Sequence, residues 1–160
     1  MSHSVVAVDI GNSFIKVAAL TDVLTPLDLH DAPVATFKLE DIGNPQWLDF
    51  LAPCSVETRW FLASVNQSSL ACVVQWLDSQ TIPKKRTILN HQHVPLDCSA
   101  VDVEEVGVDR LLSALGAMGA LANPFPVVVV DIGTAVTVDA VTAEGAFLGG
   151  VIMPSIYLSS

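Results

Sequence analysis

Basic residues are scarce in this chain. Lys and Arg together number 7 against 17 Asp and Glu, so the formal net charge is −10. An acidic surface of this kind repels phosphate backbones, which disfavours direct binding to DNA or RNA. The sole basic run, residues 84–86, is predicted to be a solvated turn.

Cysteine is also scarce. Cys54, Cys72 and Cys98 are scattered and odd in number, and none forms a CxxC pair. This pattern indicates neither a disulfide framework nor a zinc site, so buried reduced thiols are expected. His91 and His93 form an isolated His-x-His pair, for which surface histidines are expected rather than a metal site.

A membrane-spanning segment is not expected either. Residues 111–130 carry no charge, but the break at 123–126 predicts a helix that ends near Ala122 and a new strand from Val127. Residues 1–4 contain no basic segment and lead directly into a strand, so no signal peptide is expected. With 160 residues, 51% of them hydrophobic, the chain can form a sizeable core in one domain or slightly more.

A repeated motif is the most informative feature of the sequence. The apolar run Val5–Val8 precedes Asp9–Gly11, and Val127–Val130 precedes Asp131–Gly133 in the same way. Aligned over fifteen residues from Val5 and Val127, the two segments share seven identities. Each copy predicts a buried strand, an acidic residue, a tight glycine turn and a second strand.

The two turns carry groups that suit a phosphate and a cation. Gly11 and Gly133 permit tight backbone conformations and close approach of a ligand. The Asp at each strand end can hold a hydrated cation, and Asn12, Ser13 and Thr134 add donors and acceptors. Two such hairpins are what a two-lobed phosphotransferase needs to hold a nucleotide triphosphate from both sides. The alternative is two ordinary hairpins with polar turns.

Charged side chains on the outgoing strands extend this pattern. Lys16 lies close enough to the first turn to neutralise phosphate charge, although a solvated side chain is the alternative. Its neighbours are apolar, so its charge needs a partner or an exit to water. Thr137 and Asp139 alternate with apolar residues on the second outgoing strand, so they are predicted to share a face towards solvent or a cleft.

The segment before the long helix supplies a candidate base. Asp109 projects from the first turns of a helix predicted over 103–122, where the dipole favours a carboxylate. It can accept the proton of an attacking hydroxyl, and Arg110 can bind a carboxylate in bidentate fashion. The alternative is an acidic first turn that merely complements the dipole. Gly116 and Gly119 on this helix suggest close packing against another element.

The order of predicted elements indicates an α/β fold. Three strands come first, helices then alternate with strands, and three strands follow a restart near Pro124. The restarted lobe has no helix to cover one face, so the chain is expected to be a fragment or to be completed by a partner chain. The strands are predicted at Val5–Val8, Phe14–Leu20, Pro33–Leu39, Arg59–Ala63, Lys85–Leu89, Val127–Val130, Val136–Val141 and Ala146–Met153. The shorter helices are predicted from Asn44, with Trp47, Leu48 and Leu51 on one face, and over Gln67–Asp78, with Leu70, Val73, Val74 and Leu77 on one face.

Four motifs in register resemble type III pantothenate kinases, which belong to the actin-like ATPase and sugar-kinase superfamily. They are Asp9–Lys16, Gly107–Arg110, Asp131–Asp139 and Gly149–Pro154, and Ala63–Val65 is a weaker match. The resemblance implies a ribonuclease H-like lobe over residues 1–123, with a mixed sheet flanked by helices. Residues 124–160 would be the opening strands of a second, similar lobe.

The resemblance also implies an activity. It is ATP-dependent phosphorylation of pantothenate to 4'-phosphopantothenate, the first step of coenzyme A biosynthesis. Magnesium would accompany ATP, and potassium or ammonium would be required. A cytoplasmic homodimer with its active site near the subunit interface would follow, with no nucleic-acid or membrane partner.

The resemblance assigns a role to each matching residue. Asp109 would be the catalytic proton acceptor, and Asp131 would bind the monovalent cation. Pantothenate would contact Gly107, Val108, Asp109 and Arg110. ATP and its phosphates would contact Asp9, Ile10, Gly11, Asn12, Ser13, Phe14, Ile15, Lys16 and Thr134.

Three departures from the family pattern bear on activity. Ala100 stands where the family often has a substrate-contacting Tyr, and Ser155 replaces a glycine. Family members also extend further, and the additional part should supply most of the adenosine pocket and another pantothenate contact. The alternatives are a related small-molecule kinase with another acceptor and a non-catalytic regulatory protein of the Bvg accessory factor type. The acidic charge and the intact Asp9, Lys16, Asp109 and Asp131 speak against the latter.

Overall fold

A computed structural model describes residues 3–20, 32–80, 85–120 and 125–155 of the chain. The chain divides into two compact units, Met1–Leu89 and Asn90–Ser160. The first contains a five-stranded mixed sheet, and the second contains a three-stranded antiparallel sheet. The fold is therefore mixed α/β, with a mixed sheet flanked by helices.

The first sheet combines an antiparallel meander with parallel strands. Its strands are β1 His3–Ile10, β2 Ile15–Leu20, β3 Val34–Phe37, β4 Cys54–Ser64 and β5 Arg86–Ile88, and the helices are α1 Pro45–Leu51 and α2 Gln67–Ser79. The strand order is β3-β2-β1-β4-β5; β1 pairs antiparallel with β2 and parallel with β4. The parallel pairs need crossovers, which helices supply here.

Both helices of this unit begin at an asparagine. Asn44 Oδ1 accepts a hydrogen bond from the Trp47 backbone N–H (2.8 Å), and Pro45 follows at the first helical position. Asn66 Oδ1 accepts one from the Ser69 backbone N–H (3.0 Å). Each cap satisfies a backbone donor that the helix itself leaves unpaired, which explains why the helices start where they do.

The core of the first unit lies between the sheet and these helices. Alternate residues of β1 and β2 point inward, as the apolar alternation requires. Trp47 is fully buried. Its ring centroid lies 5.0 Å from that of Phe37 and 5.3 Å from that of Trp76, and both ring pairs are edge-to-face. The buried side chains are Val6, Val8, Ile10, Ile15, Val17, Ala19, Phe37, Trp47, Leu51, Trp60, Leu62, Leu70, Val73 and Leu77.

Several local predictions were wrong. Leu48 is 46% exposed, because the inward face of α1 is set by Trp47 and Leu51. Cys72 is exposed on the outer side of α2, and Cys54 and Cys98 are only partly buried; burial raises the pKa of the Cys54 thiol to about 11. Arg86 lies in β5 and pairs with Asp78; it does not lie in a solvated turn. Residue 84 of the basic run lies outside the described residues.

The second unit packs one helix on an antiparallel sheet. Its strands are β6 Val127–Ile132, β7 Ala135–Val141 and β8 Phe147–Pro154, in the sheet order β6-β7-β8. Helix α3 spans Val108–Gly119 and contacts β6 and β7; its residues Val108, Leu111 and Ala114 are buried.

Helix α3 is shorter than predicted. A separate 3₁₀ turn over Val103–Glu105 begins at Asp102, and the extended backbone at Val106 ends it before α3 begins. Gly116 and Gly119 do not mark close packing: both are exposed, and a Cβ at either would meet nothing within 4 Å among the described residues. The predicted end near Ala122 lies outside the described residues.

One face of the second sheet is exposed. Val128, Val130 and Ile132 are 67%, 56% and 67% exposed. The expectation that β6 is a buried strand was therefore wrong for this face of the strand. Helix α3 covers the opposite face, and no described element covers this one. The lobe boundary predicted at 123/124 stays a prediction; the compact units divide earlier, because α3 packs with β6 and β7.

None of the described helices is both long and apolar enough to cross a membrane.

Candidate functional site

The turn between β1 and β2 is closed by its own backbone. The Gly11 N–H donates to the Phe14 carbonyl (3.0 Å), and a Cβ at Gly11 would lie 3.3 Å from that oxygen. Asn12, Ser13 and Phe14 are exposed at the tip. The turn therefore presents polar side chains and backbone to solvent on a rigid support, as a phosphate-binding turn requires.

The same turn is anchored to the start of α2. Asn66 Nδ2 donates to Asn12 Oδ1 (3.2 Å), and the Ser64 hydroxyl donates to the Ile10 carbonyl (3.1 Å). The positive end of the α2 dipole therefore lies beside the turn, which favours an anion there. Asn66 was not predicted from the sequence, although an Asn directly before a helical apolar pattern is a signal for a cap.

Lys16 is exposed to water, which is one of the two outcomes predicted for its charge. It is exposed on β2, between the buried Ile15 and Val17 on the opposite face. Its Cα partner in the antiparallel register is Asp9. Cross-strand partners share a face of the sheet, so an ammonium and a carboxylate flank the closed turn on one side.

Asp109 lies in the first turn of α3. Gly107 precedes the helix and has no side chain to cap it, whereas Asp109 Oδ1 accepts the Arg110 backbone N–H (2.8 Å). Among the described residues, Asp109 Oδ2 has no hydrogen-bond partner. The carboxylate is therefore held by one oxygen at the positive end of a helix, and the other oxygen can receive a proton.

Arg110 is paired with Asp139 on β7. Its Nε donates to Asp139 Oδ2 (3.0 Å), and its Nη2 donates to Oδ1. The side chains are 10% and 2% exposed, so the expectation that Asp139 faces solvent or a cleft was wrong. Arg110 covers the carboxylate, and the hydrogen bond that it donates to Asp139 raises the pKa of Arg110 further. Strand alternation alone could not reveal this partner, because it lies on another element.

Asp131 and Thr134 flank the turn between β6 and β7. Both are exposed, and the Gly133 N–H donates to the Ala135 carbonyl (2.9 Å). Asp131 pairs in register with Thr137, and Val129 pairs with Asp139. Asp131 therefore lies on the same face of the sheet as Asp139, about 7 Å further along the strands.

The acidic groups do not form a dense metal cage. Within the described part of the chain, no three His, Cys, Asp or Glu residues come together as a metal site. A single exposed carboxylate such as Asp131 suits a weakly held monovalent cation better than a tightly bound divalent one, which takes more oxygen ligands from the protein. Its role as a cation ligand stays a prediction.

The glycine pair of β8 is required by its neighbours. Gly149 has φ +82°, a conformation that favours glycine. A Cβ at Gly150 would lie 1.8 Å from the Val138 carbonyl oxygen. The Gly149–Pro154 motif thus has a packing explanation in this unit.

The predicted residues fall into two groups. Asp9–Lys16 belongs to the first unit, and the remaining ones belong to the second. Within the second unit, the structure brings Arg110 and Asp139 into contact at the start of α3, beside Asp109. Ala100 is exposed, and Ser155 is buried.

The comparisons with known proteins all indicate the same family. A family model described as type III pantothenate kinase matches residues 5–160. A type III pantothenate kinase of Rhodopirellula baltica is 32% identical over 97% of this chain and 63% of its own length. One of Desulfosudis oleivorans is 36% identical over 62% of this chain and 41% of its own length. One of Hyphomonas neptunium is 57% identical over 35% of this chain and 21% of its own length. The chain thus spans less than two thirds of the length of these relatives.

Proposed function

Because the chain belongs to the type III pantothenate kinase family, we propose that it is part of an enzyme that phosphorylates pantothenate with ATP. The product would be 4'-phosphopantothenate, and the reaction would begin coenzyme A biosynthesis. The observation that carries the proposal is Asp109, whose carboxylate is held by one oxygen beside a paired arginine. A hydroxyl acceptor needs such a group, and a protein without catalysis does not.

Asp109 acts as the proton acceptor in this proposal. Its Oδ2 takes the proton of the pantothenate hydroxyl as the oxygen attacks the γ-phosphorus of ATP, and the bond from that phosphorus to the β–γ bridging oxygen breaks to release ADP. Phosphoryl transfer passes through a loose transition state, in which positioning and charge stabilisation matter more than strong basicity. Gly107, Val108 and Arg110 would contact the rest of pantothenate, with Arg110 directed at its carboxylate.

The β1–β2 turn would hold the phosphates of ATP. Gly11, Asn12 and Ser13 offer backbone and side-chain donors, and the exposed Lys16 would neutralise negative charge. Ile10 and Ile15 are buried, so they would contribute backbone only. Thr134 would donate its hydroxyl from the second turn. Magnesium, when bound, would supply further positive charge to the phosphate oxygens.

The remaining family features are part of the same proposal. The mixed sheet with its helices fits a ribonuclease H-like lobe of the actin-like ATPase kind, and the second sheet fits the opening of a similar lobe. A homodimer, a requirement for potassium or ammonium, a cytoplasmic location and the absence of nucleic-acid and membrane partners all remain predictions.

A direct assay tests this function. Phosphorylation of pantothenate would be followed by mass spectrometry with ATP, magnesium and potassium present. The 160-residue chain would be compared with the longest reading frame that contains it. We expect 4'-phosphopantothenate from the longer form, because this chain spans only 63% of its Rhodopirellula baltica relative. Product from neither form, with both folded, would contradict the proposal.

Replacing Asp131 by Ala tests the cation role. In the longer form we expect activity at saturating potassium to fall by about 10²-fold, since removing one well-placed electrostatic contact has an effect of that order. The response to added potassium or ammonium should disappear with it. Glu144→Ala, an exposed acid on the β7–β8 turn, is the control. A variant at Asp131 that potassium still activates fully would show that the assignment is wrong.

A kinase with another acceptor is the second candidate. Ala100, which is exposed, replaces the Tyr that the family often uses to contact its substrate, and this change favours a different or broader acceptor. Assaying a panel of small hydroxy acids beside pantothenate would decide between the two. A higher kcat/KM for another acid would establish the second candidate.

A further inference from the structure

The guanidinium of Arg110 is held along one edge only. Nε and Nη2 donate to the two oxygens of Asp139, with Nε 3.0 Å from Oδ2. A guanidinium carries further N–H donors in a rigid plane. Among the described residues, no other acceptor is hydrogen-bonded to this side chain. The Nη1 side can therefore meet a second acceptor while Asp139 keeps the first edge.

Stability alone does not explain a charged pair at this position. Asp139 is 2% exposed and Arg110 is 10% exposed. A buried ion pair replaced by apolar side chains of similar volume is often as stable or more stable. Val141, which lies two residues further along the same face of β7, is apolar and buried, so an apolar side chain would suit this face. The buried ion pair therefore indicates that a charged side chain with a defined orientation is needed at this position.

The neighbouring strand β8 leaves space for the Asp139 carboxylate. Gly150 on β8 is the Cα partner of Asp139. A Cβ at Gly150 would lie 2.6 Å from Asp139 Oδ1. A side chain at position 150 would displace Asp139 Oδ1, the oxygen that accepts the hydrogen bond from Arg110 Nη2. The glycine thus supports the geometry of the pair.

The pair also lies beside the candidate base. Arg110 follows Asp109 in α3, and its backbone N–H is bonded to Asp109 Oδ1 (2.8 Å). The Arg110 side chain therefore runs from its backbone in the first turn of α3 to Asp139 on β7, which holds its guanidinium. A ligand carboxylate that meets the Nη1 side would therefore be held at a fixed position relative to Asp109.

This inference rests on the proposed function. We propose that Asp139 is a positioning residue that makes the enzyme prefer an acceptor bearing a carboxylate, because it orients the guanidinium of Arg110 towards that group. Asp139 itself does not touch the substrate. Without it, the positive charge at Arg110 would remain, but its donors would no longer be aligned.

The test compares pantothenate with pantothenol, in which a hydroxymethyl group replaces the carboxylate. It uses Asp139→Asn in the longest reading frame that contains this sequence. We expect kcat/KM for pantothenate to fall at least about tenfold, mainly through KM, because aligned hydrogen bonds between charged groups are lost. The kcat/KM for pantothenol and the KM for ATP should each change by less than about threefold. Asp102→Asn, at an exposed acid of the same unit, is the matched control.

A double variant separates positioning from folding. Asp139→Asn with Arg110→Gln removes both charges, so no unpaired charge remains buried. Its thermal unfolding midpoint should lie above that of Asp139→Asn alone, yet its preference for pantothenate over pantothenol should stay lost. Because the double variant also lacks Arg110, the role of Asp139 is decided, if Asp139→Asn fails to fold, by Asp139→Glu. This variant keeps a carboxylate near the guanidinium but shifts it by one methylene, so it should fold and still lose the preference.

The outcomes are distinct. A folded Asp139→Asn protein that keeps the wild-type preference would overturn this inference and leave the proposed function standing. Failure of both single variants to fold would make Asp139 a structural residue and would also overturn it. A wild-type protein that does not phosphorylate pantothenate would remove the proposed function and this inference together.

Discussion

Replacing Asp109 by Asn is expected to lower kcat for pantothenate phosphorylation by about 10²–10⁴-fold, the usual contribution of a general base. Asn keeps the side-chain oxygen that accepts the Arg110 backbone N–H, so the start of α3 should survive. It loses only the ability of Oδ2 to take a proton. The measurement is steady-state kinetics with ATP and pantothenate on the longest reading frame, beside thermal unfolding of the same protein.

The alternative role of Asp109 makes a different prediction. If the carboxylate only complements the helix dipole, Asp109→Asn would reduce the free energy of unfolding by about 0.3–1 kcal/mol and leave kcat unchanged. Glu104→Gln is the matched control, because Glu104 is an exposed acid in the preceding 3₁₀ turn. A normal kcat in the Asp109 variant would mean that another group receives the proton.

Gly150→Ala is expected to reduce the free energy of unfolding by at least about 3 kcal/mol, the upper range for overpacking. The new Cβ would lie 1.8 Å from the Val138 carbonyl oxygen and 2.6 Å from Asp139 Oδ1. The first of these is backbone within a paired strand, so neither a rotamer change nor a small shift can relieve the clash. Urea unfolding of the 160-residue chain, with circular dichroism as the signal, would measure the loss.

Gly116→Ala is the control for that experiment. A Cβ at Gly116 would meet no atom of the described residues within 4 Å, and the residue is exposed in α3. Alanine there should stabilise the chain by up to about 1 kcal/mol, because it restricts the unfolded chain and favours the helix. Equal midpoints for the Gly150 variant and the unaltered chain would show that β8 can move away from β7.

Local pattern was enough to predict most elements. The β1–β2 hairpin, helices α1 and α2 and the three strands of the second unit were all confirmed near their predicted positions. Alternation and helical spacing depend on neighbours in the chain, so they can be read without the fold. Helix α3 was predicted too long, because a break at Val106 and Gly107 requires only two non-helical residues and leaves the apolar pattern intact.

The candidate site was only partly predictable. Asp109 was placed correctly near the start of a helix, and the tip of the first turn was placed correctly between two strands. The partner of Arg110 was not identified, since Asp139 lies 29 residues further along the chain, on a different element. Gly116 and Gly119 were misjudged for a related reason: a glycine in a helix looks the same in sequence whether or not another element packs on it.

The sequence by itself determined the α/β class, the repeated Asp-Ile-Gly turn and the acidic character that disfavours nucleic acid. Each depends on composition or on residues a few positions apart, where geometry follows directly from the chain. Tertiary structure alone decided that Asp139 is buried against Arg110, that Gly150 must lack a side chain and that one face of β6 remains exposed. These features depend on which surfaces meet, and a side chain becomes buried or exposed only when an element distant in sequence does or does not cover it.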